Sequence, residues 1–103
     1  MSLPFKSLDA ASATGAGASH DLEGIVGTHQ LIASMGAGTG SATVHLEVSY
    51  DGTTWFRTSA AAALSGAGSV ASEGVESVLA RYVRANLTFV SGTVDVTTVL
   101  ASS

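Results

Sequence analysis

The stretch Thr43–Thr58, TVHLEVSYDGTTWFRT, decides the fold because it has the pattern of a β-hairpin. Hydrophobic and polar residues alternate over residues 44–50, so one face of a strand is predicted to be buried, with Tyr50 as its last inward residue. Asp51-Gly52 supplies a turn, since Gly accepts a positive φ and Asp can bond its own backbone. The return strand is rich in β-branched and aromatic residues. We predict that this hairpin, which contains the only Trp, nucleates the core.

Three other segments have a clear strand pattern: residues 28–35, 81–90 and 93–100. Gly27 and Gly36 bound the first, and Ser91-Gly92 is predicted to turn the second into the third as another hairpin. The side chains predicted to face inward are Leu31, Ala33, Met35, Val83, Ala85, Leu87, Phe89, Val94, Val96, Thr98 and Leu100.

Weaker patterns complete the strand set. Residues 18–22 suit a short edge strand followed by a Glu23-Gly24 turn, and residues 70–79 suit another strand. Ser59–Leu64 is too short for an independent helix, so it either finishes the preceding strand or makes one turn. About eight short strands with Gly-rich turns predict an all-β fold, an antiparallel β-sandwich of jelly-roll type, over residues 18–103.

Residues 1–17 are rich in Pro, Ser, Ala and Gly, and no helix or strand period persists in them. We interpret them as an N-terminal arm that is either mobile or ordered only against another surface. Leu3, Phe5 and Leu8 are the apolar residues of this arm, and they are the predicted partner contacts.

The composition excludes several function classes. Only 12% of the 103 residues are charged, against about 25% in typical soluble domains, which leaves a Ser, Thr, Gly and Ala surface. Such a surface suits either a protein packed against neighbours or an ordinary stable β domain. A net charge of -4, with Lys6, Arg57, Arg81 and Arg84 as the only permanent cations, argues against nucleic-acid binding. The absence of Cys removes disulfides and thiolate metal sites.

The start of the sequence lacks a secretory-signal pattern, and its longest apolar block is Ala60–Leu64. A membrane-spanning helix needs about 18 apolar residues or more. The sequence therefore predicts a soluble protein made in the cytoplasm.

Residues 36–41, GAGTGS, have the G-x-G-x-G spacing of some phosphate-binding loops. A Walker loop needs Lys-Ser/Thr after its last Gly, and a dinucleotide site needs a following helix. Here Gly40 leads into a strand instead. We predict a flexible hairpin connection and no cofactor.

His45 and Glu47 lie two apart on one strand and so share a face, the geometry of a metal-binding pair, with Arg84 as a neighbour on the next strand. Metal sites usually need three or four ligands and no second pair occurs, so surface polarity is the favoured interpretation. Arg84 can equally bridge to Glu47 or Asp95, or form a ligand-binding pair with Arg81. Nothing resembles a nucleophile elbow, and the chain is predicted not to be an enzyme.

Three segments carry a family resemblance: VSYDGTTWF at 48–56, ARYVRANL at 80–87 and TGAGASHDLEG at 14–24. They resemble the small β-sandwich structural proteins of tailed bacteriophages, which are in turn distantly similar to discoidin-like carbohydrate-binding modules. The phage resemblance implies a virion protein made in the host cytoplasm, most simply a head decoration protein on the capsid surface. Its implied partners are the major capsid protein or other virion proteins, and its implied state a homo-dimer or homo-trimer.

The same resemblance implies two alternatives. One is a tail or neck component. The other is a carbohydrate-binding module of a phage tail or adhesin, in which Trp55 or Tyr82 stacks on a sugar.

Overall fold

The computed structural model describes residues 4–103. In that range the chain forms nine strands and no helix. The strands are β1 (Phe5–Ala11), β2 (Gly15–Ala16), β3 (His20–Val26), β4 (His29–Met35), β5 (Ser41–Ser49), β6 (Phe56–Ser65), β7 (Val70–Val75), β8 (Ala80–Ser91) and β9 (Val96–Ser102).

The strands form two antiparallel sheets packed face to face. One sheet has four strands in the order β1-β9-β4-β7; the other has five, in the order β2-β8-β5-β6, with β3 also paired to β8. The alternating residues of β4, β5, β8 and β9 meet between the sheets, and Leu31, Val44 and Leu46 have no exposed surface. The predicted jelly-roll-like β-sandwich is therefore confirmed.

The hairpin around Asp51-Gly52 is also confirmed, since β5 and β6 pair antiparallel from Ser41↔Ser65 to Val48↔Phe56. The alanine run 60–63 finishes β6 rather than forming a helical turn. Two predicted side-chain positions are wrong. Tyr50 lies beyond the end of β5 and is 61% exposed, and Trp55 is only half-buried, outside the hydrophobic core.

The predicted second hairpin is wrong, because β8 and β9 belong to different sheets. Ser91-Gly92 thus carries the chain across the sandwich, and so does the glycine segment 36–40 between β4 and β5. The two crossings touch: the Gly40 amide donates to the Thr93 carbonyl at 2.9 Å. The glycine segment is a close approach of two backbones, not a flexible hairpin connection.

Phe89 is 52% exposed instead of inward-facing. The pairing of β5 with β8 shifts by one residue at this point, from Val44↔Leu87 to Thr43↔Phe89. A one-residue shift reverses which face each following side chain occupies. Val90 consequently packs against the core in place of Phe89.

Most of the predicted N-terminal arm lies within the sandwich. β1 pairs with β9, and Leu8 is a core residue with 6% of its surface exposed. Ser7 ties β1 to the opposite sheet, because its hydroxyl donates to the Ala18 carbonyl at 2.7 Å and accepts from the Ala85 amide at 2.9 Å. Phe5 stacks on His20 with ring centroids 4.6 Å apart. Leu3 lies outside the described residues, and Leu8 serves folding rather than partner contact.

Candidate ligand-binding groove

An open apolar groove of about 400 Å³ lies between the β5–β6 hairpin and the connection from β7 to β8. Its lining residues are Val48, Tyr50, Phe56, Ser77, Val78 and Leu79. Val48 and Phe56 are register partners and so share one face of the five-stranded sheet. On that face Val48 is buried, with 5% of its surface exposed. Phe56, on the edge strand β6, is exposed.

Large apolar side chains in this groove are exposed to an unusual degree. Tyr50 is 61% exposed, and Phe56 and Leu79 are each 57% exposed. Exposing such side chains together forgoes the free energy of burying them, about 1.5–3 kcal/mol for a Leu or Phe. A contiguous patch of this kind on a folded domain is a candidate binding surface.

Buried hydrogen bonds hold the wall formed by residues 77–79. The ring of His29, 1% exposed, places Nε2 2.8 Å from the Val78 carbonyl oxygen and Nδ1 2.8 Å from the Ser102 hydroxyl. A carbonyl can only accept, so Nε2 carries the proton and donates to Val78. The Val78 amide in turn donates to the Gly27 carbonyl at 3.2 Å. The groove wall is thus fixed to β4 and β9.

Ser77 adopts a left-handed backbone conformation with φ 63°. This region is uncommon for residues other than glycine, and such strain concentrates at functional sites. The strained residue lines the groove.

The opposite wall is fixed by the Asp51 turn. One carboxylate oxygen of Asp51 accepts hydrogen bonds from the amides of Thr53 and Thr54, both at 2.8 Å, and from the Ser49 hydroxyl at 3.0 Å. These bonds favour the charged carboxylate, led by the one from Thr54, and hold the pKa of Asp51 well below its ordinary value. Tyr50, one residue earlier, is positioned by this turn.

The lowered pKa makes a prediction about acid stability. A carboxylate whose pKa falls on folding stabilises the fold above its unfolded-state pKa of about 3.9, and this contribution is lost as the pH drops below that value. Asp51→Asn keeps an acceptor oxygen but removes the charge. We expect the variant to be less stable than the wild type at pH 7, with the difference shrinking toward pH 3. Urea denaturation followed by Trp55 fluorescence measures this, and a pH-independent difference would contradict it.

Trp55 and Tyr82, the sugar-stacking candidates of the sequence analysis, do not line the groove. The Arg84 guanidinium carbon lies 4.2 Å from the centre of the Trp55 ring, a cation–π contact on the outer face of the five-stranded sheet. The Tyr82 ring packs under Gly52, where an added Cβ would lie 3.5 Å from its atoms. The Tyr82 ring therefore lies against the Asp51-Gly52 turn, and the Trp55 ring lies against Arg84.

The polar cluster predicted around Glu47 is present. The nearly buried Glu47 carboxylate accepts from Arg84 Nε at 2.8 Å and Asn86 Nδ2 at 3.1 Å, and Arg57 lies 3.5 Å away. Of the two predicted bridges, Arg84 thus uses Glu47. His45 bonds instead to the Thr88 hydroxyl at 2.8 Å. Among residues 4–103, no three His, Asp or Glu side chains are grouped in a way that could hold a metal ion.

Sequence reasoning missed Tyr50 and Phe56. Alternation extends the inward face of β5 one position too far, to Tyr50, and the return-strand pattern assigns Phe56 no separate role. The available signal is their position beside the turn, where a strand ends and its side chains are no longer covered by neighbouring strands.

Within the described range 4–103 no helix has the length and apolar character needed to cross a membrane.

No protein-family model matches this chain, and no curated protein matches it in sequence. Several solved structures are similar. CBM32 of AlyQ, in complex with 4,5-unsaturated mannuronic acid, matches at 17% identity with a TM-score of 0.60, covering 87% of this chain and 74% of that one. The C-terminal domain of a chitobiase from Bacteroides fragilis matches at 22% identity with a TM-score of 0.57, covering 100% of this chain and 66% of that one.

A third solved structure, the SPBc2 prophage-derived protein YomS, matches at 15% identity with a TM-score of 0.51, covering 100% of this chain and 97% of that one. At identities this low, each of the three likenesses concerns the fold. Carbohydrate-binding modules are prominent among the structural neighbours.

Proposed function

We propose that this chain is a non-catalytic carbohydrate-binding module whose ligand occupies the groove between the Asp51 turn and residues 77–79. The observation that carries the proposal is the pair of exposed rings, Tyr50 and Phe56, at the mouth of an open apolar groove. Aromatic side chains offer flat apolar faces, which suit the C–H faces of sugar rings, and Tyr adds a hydroxyl for hydrogen bonding.

The fold supports this proposal. Among its structural neighbours, CBM32 of AlyQ is in complex with a sugar acid, and another is a domain of a chitobiase. The groove is also rigid, since the hydrogen bond that His29 donates and those that the Asp51 carboxylate accepts hold its two walls. Rigid walls reduce the ordering that binding requires, and so favour affinity.

Alanine substitutions in the groove test the proposal. Stacking by an aromatic ring contributes about 0.5–1.5 kcal/mol per ring beyond simple burial, and the apolar area that each ring buries adds to this. We therefore expect the double substitution Tyr50→Ala, Phe56→Ala to weaken binding of any glycan found on an array by on the order of 100-fold. Isothermal titration calorimetry measures the loss, and the melting temperature should change little because both side chains are exposed.

Phe89→Ala is the matched control, because Phe89 is an equally exposed ring on the shifted part of β8, away from the groove lining. This variant should retain full glycan affinity. Equal losses in the control and in the double variant, or glycan binding that survives the double substitution, would overturn the proposed site.

A second function is a virion structural role, as a capsid decoration protein that binds the major capsid protein lattice, or as a tail or neck component. One observation favours it: the prophage-derived protein YomS is similar over nearly its whole length. The low surface charge also suits many weak contacts repeated over a symmetric lattice. Because β1 is part of the sandwich, such contacts would use the sheet surfaces rather than a free arm. If the chain binds no glycan on the array, this result would favour the second function.

A further inference from the structure

The chemistry of the groove restricts the class of sugar that it can accept. None of its six lining residues is charged. The polar side-chain groups among them are the hydroxyls of Tyr50 and Ser77, which can donate to and accept from sugar hydroxyls. Neither can neutralise an anionic group.

None of the Lys and Arg residues of the chain lines the groove. These four residues all lie in ion pairs: Lys6 with Asp9, Arg57 and Arg84 with Glu47, and Arg81 with Asp21. Arg57 follows Phe56 in sequence, but strand alternation turns it to the outer face, where it meets Glu47. Arg81 binds Asp21 through two hydrogen bonds of 2.9 and 3.0 Å.

The histidines do not supply a cation to the groove either. His29 lies behind the wall and donates to the Val78 carbonyl. His45 is bonded to Thr88 on the outer face, and His20 stacks on Phe5. None of the three is a lining residue.

Among the charged residues next in sequence to the lining residues, Glu47, Asp51 and Glu76 are acidic and one, Arg57 on the outer face, is basic. Asp51 follows Tyr50, and Glu76 precedes Ser77. An anionic ligand would lose its hydration in the groove without gaining a partner charge from a lining residue, and Asp51 and Glu76, next to lining residues in sequence, would repel it. The net charge of -4 adds to this repulsion at long range.

We infer that the groove binds an uncharged saccharide through its apolar ring faces and hydroxyl groups, and that it rejects uronic acids and sulfated sugars. This inference rests on the proposed function and goes beyond it. It also separates this chain from CBM32 of AlyQ, whose bound 4,5-unsaturated mannuronic acid is a sugar acid.

Matched oligosaccharides of equal length and linkage test the inference: manno- against mannurono-oligosaccharides, and galacto- against galacturono-oligosaccharides. We expect the full chain to bind the neutral member of at least one pair about tenfold or more tightly than its uronic counterpart. The affinity for the neutral member should hardly change between about 0.05 and 0.5 M salt, because no charge pair would be screened.

A charge introduced next to Ser77 in sequence supplies the positive control. Glu76 is exposed and does not line the groove. Glu76→Lys should raise affinity for the uronic member by about threefold or more while leaving the neutral member unchanged, and Glu76→Gln should have a smaller effect.

The outcomes are distinguishable. Uronic binding by the wild type that equals or exceeds neutral binding would overturn the inference and leave the proposed function standing. An unchanged uronic affinity in Glu76→Lys would overturn the claim that the missing cation is what excludes acids. Binding to neither member of any pair, nor to any glycan on the array, would overturn the proposed function itself.

Discussion

Gly40→Ala should lower the free energy of unfolding by at least about 3 kcal/mol, or prevent folding altogether. A Cβ at this position would lie 2.1 Å from the Ser91 carbonyl oxygen and 2.9 Å from the Thr93 nitrogen. Both are backbone atoms, so no side-chain rotation can relieve the overlap. The two chain crossings would have to separate, which would break the Gly40–Thr93 hydrogen bond between them.

Gly24→Ala is the matched control for this substitution. Gly24 lies in β3 with no atom within 4 Å of an added Cβ and without a positive φ. The control should change stability by less than about 1 kcal/mol, in either direction. Urea denaturation of both variants measures the difference. Equal stability of the two would show that the crossings are not in close contact.

Glu47→Ala should produce the second large loss, about 2–3 kcal/mol. Its side chain is 8% exposed, accepts hydrogen bonds from Arg84 and Asn86, and forms a longer ion pair with Arg57. Removing one partner of a buried ion pair costs roughly 3–5 kcal/mol, since the remaining charge is left without compensation. The loss here should be smaller because the Arg84 side chain retains 24% exposure and can be partly hydrated.

Asp9→Ala provides the comparison, because it removes the Lys6–Asp9 pair, whose side chains are 55% and 75% exposed and 3.9 Å apart. Its effect should stay below about 0.5 kcal/mol. Trp55 adds a second readout. Its ring packs on Arg84, so freeing Arg84 should alter Trp55 fluorescence in the folded Glu47→Ala protein. A loss no larger than that of Asp9→Ala, with unchanged fluorescence, would contradict this role for Glu47.

The sequence predicted the sandwich well because side-chain alternation is a local property of a strand. β4, β5, β8 and β9 each show it, and the residues that it placed inward at Leu31, Val83 and Val96 are buried. Alternation fails where the pairing shifts, as at Phe89, and where a strand ends, as at Tyr50. At both positions, the side chain's environment depends on which residues of other segments pack against it, and the local sequence pattern does not contain this information.

The early strand β1 escaped prediction for a related reason. Its pairing with β9 shifts twice, first between Lys6 and Leu8, and Ala10 has φ 53°. Because of the first shift, the neighbours Ser7 and Leu8 are both buried, and β1 does not show the alternation of a regular strand. Turn chemistry has a similar limit: Ser91-Gly92 can close a hairpin or lead to the opposite sheet, and only long-range packing decides between them. The groove depends on such packing too, since residues 48–56 and 77–79 meet only in the folded chain.

The position of β9 has a consequence for protein synthesis. It lies between β1 and β4 in the four-stranded sheet, although it is the latest of the nine strands to leave the ribosome. Until residues 96–102 emerge, β1 and β4 have no common neighbour, and the nascent chain must keep their apolar faces from aggregating. Pairing between such distant segments is slow to form. We therefore infer that this sheet assembles only after β9 has emerged.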